Sequence, residues 1–403
     1  MSGDDGVRWV PVGELGEVRM GKQLSPSSLN SGRPHPYLRV ANVLHGRIDF
    51  SDVKTMGFTS SELATYSLKP GDILLNEGQS LELVGRSAVY DGPEGEYCFQ
   101  NTLVRFRVGP DVLPGYAQQI FTHWLANSVF AGIAKKTTSI AHLGADRFAR
   151  LKFPLRPIAE QRRIVEALGS VADTERAVES TIAKLRSMRE ATLLSAIPLD
   201  GHSTKPGWTN VPLKEVVPSV QYGISEALDR DERGLPTLRM NNLRNGKPDV
   251  TELRYCPTPV REDLLLKGGD VLFNRTNSID HVGKAGIWRG ELPRATFASY
   301  LVRLHPDTKR LSPEYLVEWL RHPLTVQRVR AIATVAVQQV NVNPSRLREL
   351  TIALPIAPDR QHQIVSTLAS MDDRINRELE ALAKTRKLKR ALADDLLSGK
   401  IRV

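Results

Sequence analysis

The sequence predicts an α+β chain: two pseudo-repeated mixed α/β domains separated by two long helices that pair as an antiparallel coiled coil. Three observations predict it. A set of short motifs occurs twice, collinearly and roughly 200 residues apart, a period too long for a solenoid and right for whole domains. Each copy opens with short β-rich runs punctuated by Gly, Pro, Asn and Ser. Each then ends in a Pro-free amphipathic stretch of roughly 40 residues.

The first domain, residues 1–153, starts near Trp9 and carries strand-like runs at 37–43, 72–75, 87–90 and 102–108. A helical stretch over 116–133 places Ile120, Trp124 and Leu125 on one face. Phe153-Pro-Leu-Arg-Pro157 stops the last strand, and Pro is well placed in the first turn of a following helix. The spacer segment 154–198 has its apolar seam at Ile164, Leu168, Val171, Val178, Ile182 and Leu185. Glu175 is the one polar interruption, and the seam shifts toward Met188 and Leu193 beyond it. The second domain, 199–354, opens at Trp208 and repeats the plan, with a helical stretch from Pro313 to Ala333. The last segment, 355–403, has its seam at Ile364, Leu368, Met371, Ile375 and Leu382, continuing to Leu392 and Leu396. Helices of this size extend about 60 Å, and a stripe of that length requires an apolar partner. The stripe from Ile164 to Leu185 is expected to lie against that from Ile364 to Leu382. The alternative is that each helix folds back on its own domain.

Composition narrows the class. A chain of 403 residues at 41% hydrophobic content fills ordinary cores. Charge, Gly or Pro breaks every apolar run, so neither a membrane span nor a signal peptide is expected, and a cytoplasmic location follows. Cys98 and Cys256 stand at non-equivalent places in the repeat and read as reduced thiols, with no disulfide framework and no metal site. A net charge of +10 favours a polyanionic partner.

A catalytic constellation is not found. Gly283-Lys-Ala-Gly286 lacks the spacing and hydroxyl of a phosphate cradle. Asn343-Pro-Ser345 lacks the second Pro and the aromatic of an adenine methyltransferase tetrapeptide, and reads as a turn. Pro248-Asp249 with Glu252 is followed by Arg254 where a nuclease would need Lys. No cofactor is therefore expected in this chain. What recurs is a set of polar and basic loop residues at equivalent points of the repeat. The first copy offers Arg39 and Asn42, Asn76 with Glu77, Gln79 and Ser80, Arg86, and Lys135, Lys136, Thr138 and His142. The second offers Arg239, Asn241 and Asn242, Asn274, Arg275 and Asn277 with Ser278, Lys284, and Gln338, Gln339 and Asn341. Arg bonds guanine bidentately, Asn and Gln bond adenine, and Lys, Ser and Thr hold phosphates. A scaffold kept while its loop letters change suits two readers of different short DNA sequences. The rival class is a coiled-coil adaptor that binds nucleic acid non-specifically.

Gly71-Asp-Ile-Leu74, Pro154-Leu-Arg-Pro-Ile-Ala-Glu-Gln161 leading into a long helix, and their second-copy counterparts resemble the specificity (S) subunit of type I restriction-modification systems. The resemblance covers nearly the whole chain. The second copy departs from it, since Pro355-Ile-Ala-Pro358-Asp-Arg-Gln361 is one residue shorter and has Arg360 where Glu160 stands. The resemblance implies two target-recognition domains, each reading one half of a bipartite, asymmetric site on double-stranded DNA. It implies a helix pair that sets the gap between half-sites and docks two modification subunits. S-adenosylmethionine is expected on those subunits, with ATP and Mg on the restriction subunits that complete the complex.

Overall fold

A computed structural model describes residues 7–25, 32–137, 140–199, 206–336, 339–357 and 359–398. The chain forms two compact units, Met1–Glu179 with Glu380–Val403, and Ser180–Leu379. Compactness thus groups the chain differently from the four segments read in the sequence: each unit holds one repeat copy and half of each long helix.

In the first unit a four-stranded antiparallel sheet runs in the order Gly16–Met20, Leu103–Val108, Ile73–Asn76, Ser87–Val89. Both of its faces are covered, so alternate residues enter different cores. Ile73, Leu75, Val104 and Phe106 pack with Ile120, Phe121 and Trp124 of the helix Pro114–Ala126. Leu74 and Leu103 pack with Leu38 and Phe99, which belong to a mixed sheet of Lys54–Phe58, Arg33–Leu38 and Cys98–Phe99. Arg8–Pro11 pairs antiparallel with Lys152–Leu155, which ties the start of the copy to its end. The second unit repeats this plan. Its sheet order is Ser219–Tyr222, Leu301–His305, Val271–Asn274, Ala285–Ile287, with Trp208–Pro212 paired to Thr351–Pro355.

Two of the expected helices are broken. The 116–133 stretch divides into Pro114–Ala126 and Val129–Ile133, with Ser128 at φ +60° between them. The Pro313–Ala333 stretch divides at Pro323, whose missing N–H suits the start of a new helix, and His322 caps it by accepting from Leu324 N (3.2 Å). The run at 37–43 is strand only as far as Leu38 and then turns.

The long helices, Ile158–Ala196 and Asp359–Ser398, have the extents that their Pro-bounded stretches predict. A buried glutamine fixes each start. Gln161 accepts from Leu113 N (2.8 Å) and donates to Asp111 O and Arg156 O (2.8 Å each). Gln361 accepts from Ser312 N (2.9 Å) and donates to Arg310 O (2.8 Å). Glu160 pairs with buried Arg156, which also donates to Leu396 O, while Arg360 only reaches Gln363, so that pairing exists in one copy alone.

The helix pairing is antiparallel, and this corrects the expected seam partners. In the first unit Ile164 and Leu168 share a core with Leu396 and Leu397 rather than with Ile364. In the second, Ile364 and Leu368 share a core with Leu193 and Ile197. Antiparallel chains of equal length bring the start of one to the end of the other. The seam ends therefore enter the domain cores, so the alternative of folding back on the domain also holds there. Between those ends Ile182, Leu185, Ile375 and Leu382 are buried, and Val171, Val178 and Met371 are half-buried. Met188 is exposed, and Arg189 takes the buried position beside it.

Charge fixes the register. Glu175, the polar interruption, receives Arg386 Nε (2.8 Å) and Lys389 Nζ (3.0 Å). Arg189 binds Asp372 (2.6 Å) and Glu318 (2.7 Å), and Arg321 closes the network on Glu318 (2.7 Å). Arg189→Ala leaves two poorly hydrated carboxylates to share Arg321 alone and should cost about 3 kcal/mol. Denaturant titration measures this, and Arg386→Ala in its more solvated pair should cost much less. The Arg386 bond holds the Glu175 carboxyl below its ordinary 4.5. Its stabilisation is therefore complete above about pH 4.5 and fades as pH falls through the lowered native value. Thermal melts of Glu175→Gln should lack that acid-side component.

Candidate nucleic-acid interface

The loop after Leu38 and its counterpart after Leu238 are each held by one asparagine. Asn42 Oδ1 accepts from Arg39 N (3.0 Å), while its Nδ2 donates to Asp49 O (2.9 Å) and Asp52 O (3.0 Å). Asn242 repeats this with Arg239 N (2.9 Å), Asp249 O (2.8 Å) and Glu252 O (3.0 Å). Both are buried. Asn76 and Asn274 are fully buried as well, donating to Val43 O (3.4 Å) and Met240 O (2.9 Å). These four residues, expected to contact bases, are buried in the protein instead. Asn42 and Asn242 spend the whole amide on backbone groups, whereas Asn76 and Asn274 donate to one carbonyl each and their Oδ1 atoms have no partner among the described residues. Asn277 is also buried, and its Oδ1 accepts from Ser278 N (2.8 Å). Asn343, expected in a turn, caps the helix Pro344–Arg348 by accepting from Ser345 N (2.8 Å).

Other expected residues do assemble. In the first copy the strands Lys135–Lys136, Ala141–His142 and Gly78–Gln79 form a small antiparallel sheet. Lys135 and Lys136 are exposed on it, and Gln79 is half-buried beside exposed Ser80. His142 Nδ1 lies 3.0 Å from Glu77 Oε2. The second copy builds the same sheet from Thr334–Ala336, Gln339–Asn341 and Thr276–Asn277. Here Gln339 is exposed, and Asn341 Oδ1 accepts from Thr276 Oγ1 (3.3 Å). Residues separated by more than 50 positions in sequence thus meet at one edge of each domain. Thr138 and Gln338 lie outside the described residues.

The cationic candidates differ in how far they are committed. Arg39 is paired with Asp52, whereas Arg86 has no acidic partner among the described residues. Burial holds the Arg86 guanidinium below its usual range. The neighbouring His45 is pushed down by burial and then by the charges of Lys389 and Arg86. Arg239 is lowered by burial and by Arg254. Asn241 and Lys284 are exposed, and Arg275 stacks over the Tyr222 ring at 5.2 Å. Cations deprived of a counter-charge attract an anion. Sequence reasoning missed Tyr222 and Tyr300, both nearly half-exposed, and Val335, which is 79% exposed on its strand. Nothing in a lone Tyr or Val in or beside a strand marks it as a surface residue; only the strand pairing does.

A family model described as the type I restriction modification DNA specificity domain matches the chain twice, over residues 5–185 and 205–387. The chain belongs to that family. The putative type I restriction enzyme MjaX specificity subunit of Methanocaldococcus jannaschii is 31% identical over 186 residues, 45% of this chain and 44% of the relative. The type I restriction enzyme EcoKI specificity subunit of Escherichia coli is 29% identical over 188 residues, 45% of this chain and 40% of the relative. The chain thus matches less than half the length of these two relatives. A chain from a study of complex assembly and conformational transition in the type I R-M system aligns over 97% of both chains, with a TM-score of 0.63 at 19% identity. The S subunit of a type I system from M. genitalium aligns over 98% of both, at 0.55 and 12%. At such identities these likenesses establish the fold. No helix among the described residues of this family member is long and apolar enough to cross a membrane.

The buried asparagines of this DNA-specificity chain should behave as structural residues. Asn42→Ala or Asn242→Ala leaves three backbone groups unpaired and should lower stability by about 1–3 kcal/mol. Differential scanning calorimetry should record that loss with no DNA present, which a base-reading asparagine would not produce.

Proposed function

We propose that the chain is the sequence-specific DNA-recognition subunit of a type I restriction-modification complex, and is not itself an enzyme. Each target-recognition domain reads one half of a bipartite, asymmetric site. The helix pair sets the number of unread base pairs between the halves and docks two modification subunits. Methyl transfer from S-adenosylmethionine and ATP- and Mg-dependent restriction belong to partner subunits, and the assembly is cytoplasmic. Family membership supports this reading. The observation that carries it is the small sheet at the edge of each domain, with the same strand order and antiparallel pairing in the two copies and different exposed letters.

Two roles divide the exposed and half-buried residues. Lys135 and Lys136 in one copy and Lys284 in the other suit phosphates, whose neutralisation releases counterions and fixes the register on the duplex. Gln79 in one copy, and Asn241, Gln339 and Asn341 in the other, offer the paired donor and acceptor that match adenine in the major groove.

Selection from a randomised duplex library tests the reading: the full chain should enrich a two-part motif with a fixed gap. Enrichment of no motif at moderate salt would leave only non-specific binding. The lysines give a separate expectation. Lys135→Gln with Lys136→Gln should weaken binding to all sequences alike and lower the salt slope by about two, at roughly 0.9 per phosphate. The purified chain incubated with DNA and labelled S-adenosylmethionine should transfer no methyl groups.

A further inference from the structure

One scaffold position carries opposite charge in the two copies. Glu77 N donates to Thr102 O (2.9 Å) and Glu77 O accepts from Leu143 N (2.8 Å). Arg275 N donates to Tyr300 O (3.0 Å) and Arg275 O accepts from Val342 N (2.8 Å). Each residue sits between its central-sheet strand and its edge-sheet strand. The backbone bonding is the same, so the Cα–Cβ bonds leave the two domains in the same direction.

Both side chains are held at one end and free at the other. Glu77 Oε2 lies against His142 Nδ1 at 3.0 Å, and its Oε1 has no partner among the described residues. The Arg275 guanidinium lies over the Tyr222 ring, with Nη1 only 3.4 Å from Ser299 O and Nη2 unbonded among the described residues. Ring and carbonyl aim the fork before any ligand arrives, so little rotamer freedom remains to be lost on binding.

If the two domains approach DNA in the same way, this position cannot face a phosphate in both, because a carboxylate there would be repelled. Base edges satisfy both charges. A carboxylate accepts from the cytosine N4 amine, and a guanidinium donates to guanine O6 and N7. On the reading that the chain recognises DNA, we infer that Glu77 and Arg275 are the matched specificity-determining residues of the two domains. Glu77 selects a cytosine in one half-site, and Arg275 selects a guanine in the other. The swap also rejects the wrong half-site, since Arg275 over a cytosine amine sets donor against donor.

Selection from a randomised duplex library with the full chain, its Glu77→Gln, Arg275→Lys and Arg275→Gln variants, and salt titration of each, tests this. Wild type should enrich a two-part motif with a G·C pair in each half. Glu77→Gln, which still accepts from His142, should lose preference at that pair about tenfold or more in one half only. Both Arg275 variants should do the same in the other half, with the salt slope unchanged. Arg275→Lys keeps the charge and loses the fork, so a wild-type motif in Arg275→Lys would overturn the inference. So would uniform weakening and a reduced salt slope in Arg275→Gln. In either case a wild-type two-part motif would leave the DNA-recognition reading standing. No motif from wild type would overturn both.

Discussion

Everything in this molecule depends on what the ends of the two long helices bury. A free apolar stripe in water is unstable, and fully burying one Leu or Ile side chain contributes about 1.5–3 kcal/mol. The stripes end inside the domain cores. Ile164 and Leu168 arrive in the first core from the helix that follows it, and Leu396 and Leu397 arrive from the other helix. Leu193, Ile197, Ile364 and Leu368 do the same in the second. Neither repeat copy is therefore a finished domain by itself: the first core is closed by Leu396 and Leu397, more than 200 positions away, and the second by Leu193 and Ile197 from the helix that precedes it. Gln161 and Gln361 make that closure directional, anchoring the first turn of each helix to the loop that enters the domain's own helix.

The two units staple their helix halves by different electrostatics. Arg189 is 8% exposed and answers two carboxylates at once, in a setting where loss of one member leaves a poorly hydrated charge. Glu175 with Arg386 and Lys389 is more solvated, so it specifies alignment with less energy at stake. A repeated sequence with two equivalent stripes faces an ambiguity, since each helix could dock in either copy. Unlike charges at the two docking points resolve it.

The repeat, the helix extents and the domain order were legible because they rest on periodicity and on Pro, which act locally. The β-run at 72–75 matches the observed Ile73–Asn76 within a residue for the same reason. The helix break at Pro323 was legible too, and was missed because the apolar pattern continues past it. The roles of the asparagines were not legible. Asn42 and Asn241 look alike as letters, yet one is buried with its amide bonded to two carbonyls and the other is exposed. Which of them faces solvent is decided by the chain returning at Asp49 and Asp52, or at Asp249 and Glu252. Met188, expected on the seam, gives way to Arg189 for a related reason: the acids that stabilise a buried arginine, Glu318 and Asp372, come from distant parts of the chain.

The division of labour among polar residues gives the fold a way to change what it reads without changing what it is. Asn42 and Asn242, Asn76 and Asn274, and Gln161 and Gln361 are the same letters in both copies, and each is buried with its side chain bonded to backbone. Lys136 against Val335, His142 against Asn341 and Glu77 against Arg275 hold matching places in strand register and differ in charge or polarity. Substitution at a buried staple removes several bonds and is felt by the whole loop. At the exposed places of the edge sheet, a side chain meets solvent on one side and costs little to exchange. The same backbone can therefore present acceptor, donor or apolar surface at a fixed point.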